Sequence, residues 1–238
     1  MSADRDVDIL LHLSPAEFID SDAPTIVAKA TQAAGSVSSA VDKARLLFAA
    51  VRDGIRYDPY VDYTNPETFR ASSVLSAGRG YCVGKAAVFA ALCRAAGIPA
   101  RLGLADVKNH LATPRLLATT GSDIFFYHGY AEVRLDGCWL KASPTFNAGL
   151  CSRFGVPPLE FSGREHALLQ AYSSDGRAFM DYIADHGRFF DVPAKFVQSE
   201  MCRLYPLLCR PGGLSGRSME SEAAEVAHPC ENGPLSQR

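Results

Sequence analysis

Apolar residues recur at helical spacing in the first quarter of the chain. Between about Ser39 and Ile55 they fall three and four positions apart, the period of one buried helix face. Upstream, Ser14-Pro15-Ala16-Glu17 has the form of a capping box with proline at the first helical position, which predicts a short helix there. The longer face consists of Val41, Ala44, Leu47, Phe48 and Val51.

The middle of the chain predicts a helix, then a strand. The helix begins at Cys82 and runs through an alanine-rich stretch to about Ala96, because Gly97 and Pro99 are typical residues after a helix end. The following "PARLGLADV" predicts a strand. Much later, residues Pro193 to Tyr205 predict a further helix.

Residues Ile124 to Phe146 predict a β-hairpin with a defined register. Asp136-Gly137 between two alternating runs is a strong signal for a two-residue turn. On that register His128 and Ser143 are diagonal neighbours on one face, roughly 7–8 Å apart at the backbone. The predicted pairs are Leu135 with Cys138, Glu132 with Lys141, Tyr130 with Ser143, and His128 with Thr145.

Composition limits the class of protein. The chain has 238 residues, 47% hydrophobic, which is enough to bury a core, and its net charge of -2 gives no basic field for nucleic acid. We find no apolar run near the ~18 residues of a membrane span. The N-terminal "MSADRDVDIL" is acidic where a signal peptide is basic and apolar. We therefore predict a cytoplasmic protein that binds neither nucleic acid nor membrane.

Seven cysteines are present without a CxxC pair or a regular spacing. This pattern favours neither a disulfide framework nor a zinc ribbon, so we interpret them singly, as mostly buried small residues. A metal site of Cys82, His128 and a carboxylate would lack a second ligand at short spacing, so we predict no metal and no cofactor.

Cys82 stands out because it begins the predicted helix within the glycine-rich "GRGYCVG". A helix N-terminus favours a thiolate through free N–H groups and the positive end of the dipole. The glycines would leave local N–H groups free to act as oxyanion donors. The alternative is a buried helix-start cysteine without chemistry. A cysteine nucleophile also needs a histidine base, and the hairpin offers His128.

Three stretches, in order, resemble the transglutaminase-like superfamily: "VRDGIRYDPY" (51–60), "SVLSAGRGYCVGKAAVFAALCRAAGIPAR" (73–101) and "FFYHGYAEVRLDGCWLKASPTFN" (125–147). The resemblance implies a bacterial-type single-domain member with an α+β fold. Its papain/transglutaminase-like core would have an N-terminal helical part packed on an antiparallel β-sheet and the nucleophile at a helix N-terminus. It implies Cys82 as nucleophile and His128 as base. We assign 1–160 to the core, 161–210 to an extension packed on it, and 211–238, poor in residues to bury, to a disordered tail.

The third residue of the family's triad is usually an aspartate in an Asp-Pro-Thr motif, which here reads Ser143-Pro144-Thr145. A serine can orient the imidazole but cannot stabilise the imidazolium as a carboxylate does. We rank Ser143 first as orienting residue because its register fits. Asn147 is the alternative, and Asp123 or Asp106 would have to reach the site from elsewhere.

Other residues near these motifs have two interpretations each. Tyr81 and Trp139 are candidates to line the cleft, and Arg79 to hold the loop or meet an acidic substrate. Packing explains each of them equally well. For Lys85 we favour a solvated side chain over one that activates Cys82, and for Glu132 and Lys141 a cross-strand ion pair.

The leading hypothesis is a cysteine-dependent acyl-transfer enzyme, an amidase or peptidase acting on a peptide, protein or small amide. Transfer to an amine instead of water would make it a transglutaminase. The missing aspartate motivates a rival of another class, a catalytically impaired module that binds peptide or protein. No spaced carboxylates resemble a calcium loop, and the sequence carries no signature of an oligomeric state.

Overall fold

The computed structural model describes residues 9–110, 112–168, 180–210, 214, 216 and 218–227. A helical turn at 9–11 precedes the longer elements. The helices are labelled α1 Pro24–Ala34, α2 Ala40–Gly54, α3 Ala71–Ala77, α4 Cys82–Ala95, α5 Pro114–Thr120, α6 Ala148–Phe154, α7 Ala194–Leu204 and α8 Met219–Ala227, with a 3-10 turn at Pro66–Thr68. The strands are β1 Arg56–Tyr57, β2 Arg79–Gly80, β3 Ala100–Asn109, β4 Ile124–Leu135, β5 Cys138–Ala142 and β6 Met180–Phe189.

Four strands form an antiparallel sheet in the order β5-β4-β3-β6. The predicted hairpin supplies β4 and β5, and β6 from the C-terminal extension forms the opposite edge. A separate parallel pair of β1 and β2 leads the chain into α4. The predicted α+β class, with helices packed on an antiparallel sheet, is confirmed.

Helix α4 lies in the centre of the molecule. Every residue from Cys82 to Arg94 is buried, because α4 contacts β3 and β4 on one side and α1, α2 and α3 on the other. A helix without a solvent face needs small or apolar residues all round, which the alanine-rich sequence provides. Among the described residues, no helix has the length and apolarity required to cross a bilayer.

Two helix predictions had different outcomes. Helix α2 is confirmed, and the hydroxyl of Ser39 caps it by accepting from the N–H of Asp42 at 3.3 Å. The helix predicted at Ser14 is wrong, because residues 14–20 are not helical. Distant groups bind this backbone instead: Arg94 donates to the Ser14 carbonyl at 2.8 Å, and the carboxylate of Asp191 accepts from the N–H of Ile19 at 2.8 Å.

The tail predicted to be disordered contains a packed helix. Helix α8 buries Met219 and Ala223 and contacts α6. The carboxylate of Glu222, only 2% exposed, accepts from the hydroxyl of Tyr60 at 2.7 Å and from that of Thr113 at 2.8 Å. Disorder is therefore the wrong prediction for 219–227, while residues 211–213, 215, 217 and 228–238 lie outside the described residues.

The prediction that every cysteine is unpaired is wrong for two of them. Cys202 at the end of α7 forms a disulfide with Cys209. Cys93 and Cys151 are buried cysteines outside any disulfide, and Cys138 is an exposed one. Cys82 is also free, and its sulfur belongs to the site described next.

Candidate active site

The chain reaches Cys82 through a tight turn. Helix α3 ends at Gly78, whose φ of +61° is a conformation that glycine adopts without strain. The short strand β2 follows, and the extended Tyr81 is the N-cap of α4. Cys82 is thus the first residue of a buried helix, as predicted, with its sulfur near unpaired N–H groups of the first turn.

Strand β4 passes close to the start of α4 at Gly129. A Cβ atom built on Gly129 would lie 2.5 Å from the Cα of Val83, so only glycine permits this approach. The N–H groups of Gly129, Val83 and Cys82 itself hydrogen-bond the Cys82 sulfur and favour its thiolate. Burial outweighs them and raises the pKa of the Cys82 thiol to about 11.

His128 precedes Gly129 and is buried, with 4% of its surface exposed. Its Nε2 lies 3.2 Å from the hydroxyl oxygen of Ser143, which in turn lies 2.8 Å from that of Thr145. Burial lowers the pKa of His128 to about 4, and no carboxylate contributes to that shift. The imidazole is therefore neutral near pH 7, as expected when a serine occupies the aspartate position.

The hairpin has the predicted register where it is paired. Leu135 lies opposite Cys138 and Glu132 opposite Lys141, and the ladder extends to Ala131 and Ala142. The further pairs that we predicted lie beyond the end of β5, yet Ser143 still reaches His128. The Asp136-Gly137 turn is followed by this register, and beyond it the N–H of Ser143 donates to the Ala167 carbonyl at 2.8 Å.

A β-bulge lies immediately before His128. Ala105 pairs with His128 and Val107 with Phe125, so one β3 residue faces two on β4, and Tyr127 adopts a φ of +56°. The carboxylate of Asp106 accepts from the N–H of Tyr127 at 3.1 Å and lies 2.7 Å from Nε2 of His186. Asp106 therefore holds the bulge and does not orient His128.

The other proposed orienting groups also have different partners. Asn147 accepts from the N–H of Tyr57 at 3.2 Å and donates to Glu220 at 3.2 Å. Asp123 forms an ion pair with Lys108 at 3.3 Å. Of the four candidates, Ser143 is the one that the structure places beside the His128 ring.

The three predicted cleft residues lie in different places. Tyr81 is 3% exposed and lines the cavity that contains Cys82 and His128. Arg79 is half-exposed and pairs with Asp58 at 3.1 Å, and it does not line this cavity. Trp139 lies under the guanidinium of Arg101, 4.1 Å from the ring centroid, also outside the cavity. Of the two interpretations proposed for each residue, the structure therefore favours a loop contact for Arg79 and side-chain packing for Trp139 over contact with a substrate.

Two charged residues differ from their sequence interpretation. Lys85 is fully buried, and its ammonium donates to the carbonyls of Arg52, at 2.9 Å, and Ile55 at the end of α2. Burial lowers its pKa to about 7. Glu132 pairs with Arg101 at 2.7 Å and Arg188 at 2.6 Å, so the predicted Glu132–Lys141 ion pair is wrong even though the two residues are opposite each other.

The cavity around Cys82 and His128 is small and mostly apolar. Its volume is about 40 Å³, room for a few water molecules but not for a peptide. Residues from the C-terminal part of the chain also enclose it, and the sequence did not indicate them because they belong to no recognisable motif: Met180, Met201, Tyr205, Leu208 and Met219. No aspartate, glutamate, lysine or arginine is among the described residues that line it.

Residues 27–144 match the family model of the Transglutaminase-like superfamily. Over these residues the chain belongs to that superfamily. The transglutaminase-like core includes Cys82, His128 and Ser143, and the chain is a member of a superfamily of cysteine enzymes. The crystal structure of a candidate cysteine protease from Cytophaga hutchinsonii is similar, with 16% identity and a TM-score of 0.44. The alignment covers 76% of this chain and 54% of that one, so the chain spans about half the length of that protein. A search of curated proteins found no match.

Within the described residues, no three histidine, cysteine, aspartate or glutamate side chains come together as a metal site. The groups that can act chemically are the Cys82 thiol, the neutral His128 imidazole held by Ser143, and the N–H groups at the start of α4. These are the kinds of group that nucleophilic acyl transfer uses.

Proposed function

We propose that the protein hydrolyses an amide or ester through a thioacyl-enzyme on Cys82, with His128 as the base. The observation that carries this proposal is the shared cavity, in which a cysteine at a helix N-terminus and a histidine oriented by a hydroxyl line the same wall. Membership of a cysteine-enzyme superfamily supports it.

The reaction needs two half-steps. In the first, His128 takes the thiol proton as the Cys82 sulfur attacks the carbonyl carbon, and the tetrahedral oxyanion accepts hydrogen bonds from nearby N–H groups. The bond to the leaving amine or alcohol then breaks, and His128 returns the proton to that group. In the second, His128 takes a proton from water as the water oxygen attacks the thioester carbonyl carbon. The C–S bond then breaks and His128 returns the proton to the Cys82 sulfur, so that a carboxylic acid and the free thiol result.

The two pKa shifts fit a pair that rests uncharged. Burial raises the pKa of Cys82 to about 11 and lowers that of His128 to about 4. Proton transfer therefore accompanies the attack instead of preceding it, as in serine hydrolases. A preformed thiolate–imidazolium pair, which an aspartate would stabilise, is not expected here.

Hydrolysis fits the cavity better than transamidation. The enclosed space of about 40 Å³ admits water as the second substrate. In transamidation, the lysine side chain that accepts the acyl group would bring its ammonium into a cavity whose described lining has no carboxylate. Transfer to a protein amine is therefore the second candidate among reactions.

A binding module is the rival from a different class. The observation that favours it is that no carboxylate of the described residues contributes to the pKa of His128, together with a thiol whose pKa is raised. Such a protein would bind a peptide or protein ligand and turn over none.

The test is a hydrolysis assay on p-nitrophenyl esters, p-nitroanilides and a peptide mixture, with intact-mass detection of the acylated protein. We expect product release and a mass increase on Cys82, both absent in Cys82→Ala. Cys138→Ala is the matched control, because Cys138 is a free thiol at the surface, and it should behave as the native protein. Equal hydrolysis by Cys82→Ala would overturn the proposal, and ligand binding without any turnover would favour the rival.

The predictions about partners stay predictions, namely a peptide, protein or small amide substrate and no nucleic acid. The cytoplasmic compartment likewise stays a prediction.

A further inference from the structure

The described wall of the Cys82 cavity has no ionisable carboxylate, ammonium or guanidinium group. Aromatic rings make up much of the wall, and three of the chain's four methionines complete it. Apart from Cys82 and His128, the side chains that carry polar groups are an asparagine, a threonine and several tyrosines. This is the lining of a site for an uncharged ligand.

This inference rests on the proposed function and names its substrate class. We propose that the site accepts an uncharged, apolar acyl group, aliphatic or aromatic, presented as a small amide or ester. A charged acyl group or the main chain of an extended peptide does not fit.

Exclusion of charge follows from the wall itself. A charged group that enters loses its hydration and finds no described counter-ion, so its entry into a buried site is strongly disfavoured. The same surroundings already disfavour charge on the protein's own groups, since burial raises the pKa of Cys82 and lowers that of His128. An apolar group replaces water at this wall without such a penalty.

Tyr81 supplies a polar contact of the kind that an acyl group needs. Its hydroxyl is buried and has no hydrogen-bond partner among the described residues. The rings of Tyr63 and Phe69 pack edge-on against Tyr81, with centroids 5.0 and 5.9 Å away, and fix its position. A buried hydroxyl without a described partner, on a residue of the wall that Cys82 also lines, is a donor for one carbonyl oxygen of a ligand.

Size restricts the ligand further. The cavity has a volume of about 40 Å³, so a substrate must displace side chains to enter. Met180, Met201 and Met219, from the C-terminal part of the chain, line it. Methionine side chains repack easily around apolar groups. A peptide main chain would bring N–H and carbonyl groups that outnumber the available partners, at a desolvation cost for each.

The experiment uses methanethiosulfonates on the full chain, because they probe the pocket without requiring catalysis. The thiolate attacks the reagent sulfur, the S–S bond of the reagent breaks, methanesulfinate leaves, and a mixed disulfide forms. Propyl, 2-aminoethyl and 2-sulfonatoethyl reagents of similar reach are compared. The rate at Cys82 is divided by that at exposed Cys138 on the same molecule, both measured by peptide mass spectrometry.

We expect the Cys82/Cys138 rate ratio to be about a hundredfold higher for the propyl reagent than for either charged reagent. Because a cation and an anion are both used, a local field at Cys138 cannot produce this pattern. Equal ratios for the three reagents, or a preference for a charged one, would overturn the inference.

A matched pair of variants tests the wall directly. Leu208 lines the cavity, whereas its neighbour Leu207 is 46% exposed. Leu208→Ala should raise the benzyl/propyl labelling ratio at Cys82 by about threefold or more, because it enlarges the cavity. Leu207→Ala should leave that ratio unchanged. If both variants act alike, the apolar wall does not select the ligand.

Failure of this inference and failure of the proposed function give different results. If labelling is selective for the apolar reagent but no Cys82-dependent hydrolysis occurs, the proposal of a hydrolase is rejected and the proposal of an uncharged, apolar ligand is retained. If hydrolysis depends on Cys82 but its rate does not depend on the charge of the acyl group, the proposed ligand class is rejected and the proposal of a hydrolase is retained.

Discussion

The hydroxyl oxygen of Ser143 lies 3.2 Å from Nε2 of His128. A hydroxyl can donate or accept, so it orients the imidazole in either tautomer, and the hydroxyl of Thr145, 2.8 Å further on, completes the chain of hydrogen bonds. It carries no charge, however, and an imidazolium beside it gains less than beside a carboxylate. The consequence is a cysteine and a histidine that rest as thiol and neutral imidazole.

Ser143→Asp should convert this resting state into an ion pair. The new carboxylate raises the pKa of His128 from about 4, by about one unit or more. We expect the acid limb of kcat/KM to move to higher pH by that amount, and the thiolate absorbance of Cys82 to appear at lower pH. A pH profile and an ultraviolet titration measure the two effects.

Asn147→Ala is the control for Ser143→Asp. Asn147 contacts Tyr57 and Glu220 and not His128, so its loss should leave the acid limb in place. Ser143→Ala should lower kcat/KM by about tenfold, equivalent to one hydrogen bond of about 1.4 kcal/mol. An acid limb that moves with Asn147→Ala and not with Ser143→Asp would assign the orienting role to Asn147.

His128 also links stability to pH. Burial lowers its pKa in the folded protein to about 4, whereas it titrates near 6.5 in the unfolded chain. Between these values the unfolded chain binds a proton that the folded protein does not. The free energy of unfolding should therefore fall as pH falls from 6.5 toward 4, by on the order of 1–2 kcal/mol at pH 5.

Urea unfolding at about pH 7 and 5 measures this linkage. His128→Gln should remove that part of the pH dependence, and His166→Gln, at an exposed histidine, should keep it. Coincident pH dependences for the native protein and His128→Gln would show that His128 is not the group responsible.

Gly129→Ala should separate strand β4 from the start of α4. The new methyl group would lie 2.5 Å from the Cα of Val83, and this backbone cannot yield as a side chain does. We expect a loss of about 1–3 kcal/mol in the free energy of unfolding and loss of activity. Gly54→Ala, which meets nothing within 4 Å, should be neutral or stabilising by denaturant titration. Two alanine variants of equal stability would contradict the close approach.

Tyr81→Phe should make the protein more stable and less active. It removes a buried hydroxyl without a described partner, so the free energy of unfolding should rise by about 1 kcal/mol. It also removes the proposed donor to the substrate carbonyl, so kcat/KM should fall by about tenfold or more. Tyr63→Phe is the matched control, because that hydroxyl donates to the Pro59 carbonyl at 2.9 Å and its loss should destabilise. A destabilised Tyr81→Phe would mean that its hydroxyl is satisfied in solution.

Glu222→Ala should loosen helix α8 above the cavity. Its carboxylate accepts the hydroxyl hydrogen bonds of Tyr60 and Thr113, and Met219 on the same helix lines the cavity. We expect iodoacetamide to alkylate Cys82 about threefold faster or more, relative to Cys138. Glu225→Ala, at an exposed residue paired with Arg115, should leave the rate unchanged. Equal rates in both variants would mean that α8 does not limit access to Cys82.

The sequence predicted those parts of the site that local signals determine. Asp136-Gly137 fixes the hairpin register and hence brings Ser143 to His128, and the small residues after Cys82 predict the buried helix. At Ser14 the capping signal was overridden by Arg94 and Asp191, which are distant in sequence. The burial of Lys85 depends on carbonyls of another helix. The C-terminal wall has no local pattern at all, because Met219 is buried only where other elements meet it.

The residues that close the cavity come late in the chain, and this matters for Cys82 during synthesis. Met201, Tyr205, Leu208 and Met219 enclose Cys82 but are translated long after it. Until they leave the ribosome, that side of the thiol has no cover. A chain without these residues therefore lacks the part of the wall that separates Cys82 from oxidants and electrophiles in the folded protein.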